Sequence, residues 1–182
     1  MHERPVARIG RIYAHAARQR RVLGHHGFDK IGQPACIGGI DPATGSEFVH
    51  YEWSCGGNGG FKESDGPSAM AAIDWGDLTT VQPTEILESR FPLHIEWTQL
   101  GLDSGGAGER RGGLGMRRAL RLTRGNALYS LLSDGAIMPP FGIHGGETGA
   151  PVDSYVIGAD GTEHRFDSPG KVGGHSLSEG DT

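Results

Sequence analysis

The stretch that decides the fold is "EFVHYEWSC" at residues 47–55, which runs directly into the glycine-rich "GGNGGFKESDG" at 56–66. Alternation of apolar and polar side chains with a period of two is typical of a half-buried β-strand. The apolar face carries four residues: Val49, Tyr51, Trp53 and Cys55. The polar face carries three: His50, Glu52 and Ser54. We therefore predict a strand whose apolar face packs on the core.

Glycine is over-represented throughout the chain, with 32 in 182 residues, more than twice the usual share of about 7%. These glycines lie between strand-like runs that contain tryptophan, tyrosine and phenylalanine. This arrangement favours a β protein dense in turns over a disordered, low-complexity chain.

The cluster at 56–60 leaves two explanations open. In the first explanation, the bare backbone of the loop lies close to a substrate. Asn58 then forms a hydrogen bond with a carbonyl or amide of that substrate, and Asp65 fixes the far end of the loop. Alternatively, the glycines hold positive φ angles in a tight bulge. On the first explanation the predicted substrate-binding residues are Gly56, Gly57, Asn58, Gly59, Gly60 and Asp65.

The remaining pattern predicts further strands and short helices. The spacing of apolar residues predicts helices over 5–23 and 83–91. Strands are predicted over 93–100, 116–123 and 127–134, a hairpin over 154–166, and the beginning of a last strand at 176–182. We predict a mainly β (α+β) fold, a sandwich or irregular barrel with two or three short helices and glycine-rich loops.

Length and charge bound the organisation of the protein. A chain of 182 residues is long enough for one domain with a real core. We predict a basic helical lead-in at 1–31 and a β-rich domain at 35–182. The net charge of −5 argues against a nucleic-acid binder and against an electrostatic membrane binder. The basic lead-in is interpreted as a solvated arginine face or a contact with a protein partner.

Compartment is inferred from cysteine usage and from the absence of targeting patterns. Cys36 and Cys55 are the two cysteines, too few for a disulfide framework, which favours free thiols in a reducing compartment. The sequence shows no signal peptide and no apolar run long enough to span a bilayer. We therefore expect a cytoplasmic protein.

The motif search yields no catalytic residue and no metal ligand. The Gly170-Lys171-Val172 sequence fails the phosphate-loop pattern, and neither glycine-rich loop has the spacing of a dinucleotide fingerprint. The nine histidines form no motif with zinc-ligand spacing. Binding of a nucleotide or another anion by backbone amides of the glycine loops stays open as a weaker alternative.

Seven stretches that occur in order resemble the C-terminal part of the hydantoinase B/5-oxoprolinase family, from about Gly38 to Thr182. The same region resembles the corresponding subunit of acetone and acetophenone carboxylases. The stretches are "GGIDPATGSEFVHYEW", "GGNGGFKESDG", "PTEILESRFPL", "DSGGAGERRGGLGMRR", "LLSD", "PPFGIHGGETGAP" and "PGKVGGHSLSEGD". Residues 68–83 depart from the family pattern, which puts substrate contacts from that segment in doubt.

The resemblance implies a split or truncated subunit of an ATP-dependent cyclic amide hydrolase that is inactive alone. Its partners would be a hydantoinase A-like ATP-using subunit and the N-terminal hydantoinase B portion. ATP and a divalent metal are implied for the assembled complex, and none is expected on this chain alone, because the family's metal residues lie in that N-terminal portion. The alternatives are a ketone carboxylase subunit of the same family and a non-catalytic, β-rich interaction module.

Overall fold

A computed structural model describes residues 34–71, 81–133, 135–168 and 170–182. The predicted lead-in at 1–31, with its helix at 5–23, lies outside these residues. The described strands are β1 (Pro34–Asp41), β2 (Ser46–Trp53), β3 (Leu93–Leu100), β4 (Met116–Leu122), β5 (Asn126–Leu132), β6 (Tyr155–Ile157), β7 (Glu163–Arg165) and β8 (Lys171–Ser178). One described helix, α1 (Thr84–Arg90), precedes β3.

The largest sheet has four strands in the order β2-β1-β5-β8, with every neighbouring pair antiparallel. A tight turn joins β1 to β2. The Asp41 carboxylate accepts the N–H of Ala43 over 3.0 Å, and Gly45 closes the turn with φ +70°. That angle lies in the left-handed region, which glycine adopts without steric cost.

Two smaller units pack near this sheet. β3 and β4 form an antiparallel pair with a register shift between Ile95 and Trp97, and β6 pairs with β7. The helix α1 begins after Pro83, whose fixed φ suits a helix start. The side chain of Leu87, in this helix, is fully buried. The helix therefore anchors the β3 end of the molecule to the core.

The core combines side chains from all three sheets with Leu87 of α1. Its buried members are Ile37, Phe48, Leu87, Leu93, Ile95, Leu122, Ala127, Val156 and Leu177. The prediction of a mainly β protein is confirmed. The three sheets remain separate, so the barrel alternative is not what the described residues form. One of the predicted short helices, at 83–91, is confirmed as α1.

The strand predicted at 47–55 is confirmed as β2, but its orientation was predicted wrongly. Val49 and Tyr51 are 62% and 54% exposed, whereas His50 is only 4% exposed. Even-numbered positions therefore face the interior. The physical reason lies in the opposite layer, where Phe91 packs on the His50 ring at 5.4 Å between centroids and Arg118 neutralises Glu52.

The end of the chain also differs from its prediction. Residues 176–178 complete β8 rather than begin a new strand. The last residue then pairs with β6: the Thr182 N–H donates to the Ile157 carbonyl over 2.8 Å, and the Ile157 N–H donates back over 2.7 Å. Within the described ranges no helix is both long and apolar enough to cross a membrane.

Candidate functional site

A cavity of about 490 Å³ lies between the inner face of the four-stranded sheet and the strands β4 and β6. This volume is within the range of roughly 300–1,000 Å³ that is usual for small-molecule sites. Its apolar lining includes Ile37, Leu120, Leu131 and Val156. Its polar lining includes His50, Glu52, Ser54, Ser104, Arg117, Arg118, Tyr129, Asp153, Ser154 and Tyr155.

The most strongly charged part of the lining is a buried cluster of Arg118, Glu52 and His50. Arg118 donates from one terminal nitrogen to Glu52 Oε1 over 2.7 Å, and His50 Nε2 lies 3.1 Å from Glu52 Oε2. The Arg118 and Glu52 side chains are 5% and 10% exposed. Burial raises the pKa of Glu52, but the hydrogen bonds and charges of His50 and Arg118 outweigh it, so the net shift is downward. Glu52 is therefore a carboxylate, and the His50 Nε2–H donates to it.

One nitrogen of Arg118 is buried without a hydrogen-bond partner in the part of the chain that the structure describes. Its buried Nε has no hydrogen-bond partner among the described residues, and the side chain lines the cavity. A buried N–H without a partner costs about 1–3 kcal/mol. Because this nitrogen is enclosed by protein atoms, a ligand oxygen would reach it only after neighbouring side chains had moved.

A neutral polar pair lies on another part of the lining. The hydroxyls of Tyr129 and Ser154 are 2.7 Å apart. Burial raises the pKa of Tyr129, and the hydrogen bond with Ser154 offsets part of that rise. Tyr129 therefore remains a protonated phenol at neutral pH and can donate or accept a hydrogen bond.

Arg117 lies beside this site on the same strand as Arg118. Its guanidinium carbon lies 5.8 Å from the centroid of Trp97, and one of its nitrogens donates to the Tyr155 hydroxyl over 3.3 Å. All three side chains line the cavity. Together they form a part of the cavity wall that consists of one guanidinium and two aromatic rings.

The predicted substrate-binding residues are placed by the loop–loop packing of the two glycine-rich segments. Of these residues, Gly57 lines the cavity. The Asn58 N–H donates to the Pro67 carbonyl over 3.0 Å, and its own carbonyl accepts the Gly113 N–H over 2.8 Å. The Asp65 carboxylate accepts the Arg111 N–H over 2.9 Å. The segment 54–66 is thus joined to the segment 101–115 by backbone hydrogen bonds.

Two glycines of the cluster at 56–60, Gly57 and Gly60, are required by the close approach of the second glycine-rich segment. A Cβ on Gly57 would lie 1.8 Å from the Gly113 carbonyl oxygen, and one on Gly60 would lie 2.8 Å from Cβ of Arg110. None of the four glycines has a positive φ, so the bulge explanation was wrong in its geometry. Several backbone N–H groups of these loops donate to carbonyls within the two loops. Fewer N–H donors are therefore left for a phosphate than in a nucleotide-binding loop.

The described residues contain no group of three or more His, Cys, Asp or Glu side chains that could hold a metal ion. His164 and His175 are stacked on each other, with 4.8 Å between their ring centroids. Stacked rings share an aromatic contact and do not point their nitrogens at a common ion.

Sequence reasoning missed the charged cluster. Alternation places His50 and Glu52 on the polar face of β2, and Arg118 falls within the strand predicted at 116–123 without any pattern that singles it out. The available signal was the spacing of a histidine and a glutamate two residues apart on one strand face. This spacing indicates a buried cluster only when the positive charge that pairs with Glu52 is also known. That charge is Arg118 in β4, 66 residues further along the chain.

Comparison with families of known proteins gives a match over nearly the whole chain. The model of the family described as hydantoinase B/oxoprolinase matches residues 11–182. Among curated relatives, 5-oxoprolinase PfmaA of Pestalotiopsis fici is 31% identical over 122 residues, which is 66% of this chain and 9% of that protein. The 5-oxoprolinase 1 of Arabidopsis thaliana is 31% identical over 115 residues, 62% of this chain and 9% of that protein. The chain thus spans about a tenth of the length of these relatives.

Two solved structures share the fold. The ATP-dependent caprolactamase from Pseudomonas jessenii superposes with a TM-score of 0.69 at 25% identity, covering 94% of this chain and 30% of that one. A nucleotide-free acetone carboxylase superposes with a TM-score of 0.64 at 23% identity, covering 81% of this chain and 19% of that one. The described strands therefore form a fold that occurs as a minor part of much longer chains.

Proposed function

Because the chain belongs to the hydantoinase B/oxoprolinase family, we propose that it is one part of an ATP-dependent enzyme that opens cyclic amides. The 5-oxoprolinases and the caprolactamase that it resembles are named for cyclic amides. In this proposal the chain supplies one wall of the substrate site and a surface for assembly. A hydantoinase A-like part uses ATP, and the N-terminal hydantoinase B portion completes the site.

The observation that carries the proposal is the guanidinium of Arg118 in the wall of the cavity, where it donates to Glu52 from one terminal nitrogen. An amide carbonyl oxygen is the acceptor that suits this donor, and a guanidinium strengthens such a hydrogen bond by its charge. As the amide is attacked, negative charge develops on that oxygen. A fixed cation in a dry site stabilises the developing charge more than it stabilises the neutral carbonyl.

Glu52 and His50 act as positioning residues in this proposal. Glu52 accepts from Arg118, and His50 donates to the second oxygen of the same carboxylate. The guanidinium is therefore held at one place on the cavity wall, and its charge is partly balanced when no substrate is present. Such an arrangement lets the donor act without reorganisation at the moment of reaction.

The cavity wall away from Arg118 can contact the remaining atoms of a small cyclic amide, which are its N–H group and its ring methylenes. Tyr129 and Ser154 offer hydroxyls that can accept an amide N–H. The apolar side chains Ile37, Leu131 and Val156 can contact ring methylenes. A site with mostly apolar walls and a few placed polar groups is usual for a small neutral ligand.

ATP and a divalent metal are not assigned to this chain. The described residues offer no set of side chains that fits a metal ion. Backbone N–H groups of each glycine-rich loop donate hydrogen bonds to carbonyls of the other loop. ATP and the metal both belong, in this proposal, to the other parts of the enzyme.

The proposal is tested by replacing Arg118 in the assembled enzyme, made from this chain, the N-terminal hydantoinase B portion and the hydantoinase A-like part. Arg118→Lys keeps a positive charge but loses the planar donor set. We expect ATP-dependent opening of 5-oxoproline or hydantoin to fall at least about a hundredfold in kcat, the usual scale for losing such a donor.

Arg121→Lys is the matched control, because Arg121 lies on the same strand, pairs with Glu96 and does not line the cavity. It should keep turnover within about twofold. Full turnover by the assembly that carries Arg118→Lys would overturn the proposed role. Turnover of ketones that depends on bicarbonate, without ring opening, would replace the cyclic-amide reaction by carboxylation.

A further inference from the structure

The outer face of the four-stranded sheet, opposite the core, carries a row of exposed apolar side chains. Its members are Ile40 at 59% exposure, Val49 at 62%, Tyr51 at 54%, Leu128 at 54% and Leu132 at 54%. We call this set the outer sheet face. A contiguous apolar patch of this kind usually marks an interaction surface rather than a solvated one.

Strand register makes the patch continuous. Gly38 of β1 pairs with Val49 on one side and with Leu128 on the other, so these residues form one row across three strands. In the next row Cys36 pairs with Tyr51 and with Ser130. Beside Gly38, which has no side chain, lies a shallow channel whose lining includes Gly38, Leu128 and Ser176. A flat apolar surface with such a channel can receive side chains from another layer.

Charge is confined to the margins of the patch. Glu47 pairs with Ile40 at one end of β2, and Lys171 pairs with Leu132 at the opposite edge of the sheet. An apolar centre with charges at the rim is the usual composition of a stable protein interface. The inner face of the same sheet is the more polar one at β2, since it carries the buried His50 and Glu52.

We infer that the outer sheet face is covered by the remainder of a hydantoinase B-type protein, the part of the fold that this chain does not contain. The chain aligns over 94% of its own length with only 30% of the caprolactamase chain. A protein of this family therefore has a large further body of polypeptide to place against the domain. A sheet layered on both faces is also the arrangement in which an apolar outer row is stable.

This inference rests on the proposed role of the chain as one part of a larger enzyme. Its test measures binding without substrate or ATP. The probe is the remainder of the hydantoinase B-type protein from the same organism, produced as its own polypeptide with no segment equivalent to residues 34–182. Titration calorimetry and light scattering with the full chain should show a one-to-one complex.

Variants of the outer sheet face locate the contact. Val49→Glu and Leu128→Glu should each raise the Kd at least about tenfold, because a charge would be buried in the centre of the interface. Ile137→Glu is the matched control, since Ile137 is 79% exposed and lies outside the sheets. It should change the Kd less than about twofold. Circular dichroism should show all three variants folded, because each site is exposed.

Three outcomes would overturn the inference. They are the absence of a complex, a complex whose Kd neither Val49→Glu nor Leu128→Glu alters, and a dimer of this chain that Leu128→Glu dissociates. Arg118→Lys should leave binding unchanged. The two proposals therefore fail in different measurements. The proposed chemistry fails if Arg118→Lys keeps turnover, and the proposed interface fails if Val49→Glu and Leu128→Glu keep binding.

Discussion

Glu52 and Arg118 lie 66 residues apart in the sequence and form a buried ion pair, with Arg118 donating to Glu52 Oε1 over 2.7 Å. The pair joins β2 of the four-stranded sheet to β4 of a separate sheet. It thus fixes the separation of the two layers that enclose the cavity. Because His50 binds the second carboxylate oxygen, stability and site geometry depend on the same three side chains.

We expect Glu52→Gln to destabilise the fold by about 3–5 kcal/mol, because it leaves the buried Arg118 charge without its counter-ion. The double variant Glu52→Gln/Arg118→Met should recover most of that loss, since it removes both charges. Urea unfolding monitored by tryptophan fluorescence measures each free energy. Glu96→Gln is the control: Glu96 pairs with the more exposed Arg121, and its loss should cost about 1 kcal/mol or less. Equal costs for Glu52→Gln and Glu96→Gln would contradict the prediction.

Acid should weaken the turn between β1 and β2. Hydrogen bonds from Arg124 and from the Ala43 N–H hold the pKa of Asp41 at about 2, below its ordinary value of 3.8. The unfolded chain therefore binds this proton more readily, so the contribution is full above about pH 4–5 and is lost as the pH falls from 3.8 through 2. Urea midpoints at pH 5 and pH 3 should differ more for the wild type than for Asp41→Asn. The prediction is wrong if Asp41→Asn keeps the full acid dependence.

Gly57→Ala should destabilise the fold by about 1–3 kcal/mol or more, the usual range for overpacking. The added methyl would lie 1.8 Å from the Gly113 carbonyl oxygen, and a backbone atom cannot rotate away. Gly173→Ala is the control, because a Cβ there meets nothing within 4 Å and its φ is not positive. It should be neutral or stabilising by about 0.4–1 kcal/mol. A melting temperature unchanged by Gly57→Ala would show that the loops separate without cost.

Tyr129 should ionise above its ordinary value of 10.0, because burial raises its pKa. The absorbance difference at 295 nm between the wild type and Tyr129→Phe isolates this residue, and its midpoint should lie above pH 10. Ser154→Ala should move the midpoint further upward, since it removes the hydrogen bond that opposes the effect of burial. A midpoint at or below pH 10 would place Tyr129 in contact with water.

The purified chain should open no cyclic amide by itself. It spans 9% of the 5-oxoprolinases from Pestalotiopsis fici and Arabidopsis thaliana, and its described residues supply no set of metal ligands. Product release from 5-oxoproline or hydantoin, measured with ATP and a divalent cation present, should match a blank that contains no protein. Addition of the hydantoinase A-like part and the N-terminal hydantoinase B portion should restore turnover. Turnover by the chain alone would contradict the assignment of roles.

The sequence by itself determined the family and most of the strands. The seven ordered stretches identified the hydantoinase B/oxoprolinase resemblance, which the family match over residues 11–182 confirms. Local patterns were sufficient for β2, β3 and α1, because alternation, helical spacing and proline positions act within a few residues of each other. Substrate binding by Gly56, Gly57, Asn58, Gly59, Gly60 and Asp65 remains a prediction.

Contacts between distant segments determine which face of β2 lies inside and why positions 57 and 60 are glycine. Alternation separates two faces but does not say which one meets the core, since that depends on what the opposite layer contributes. Here the opposite layer contributes Arg118, whose charge makes burial of Glu52 favourable. Gly57 likewise packs against Gly113, 56 residues further along the chain, whose carbonyl oxygen would lie 1.8 Å from an added methyl group. Contacts between distant segments have no local pattern, and these contacts formed the site.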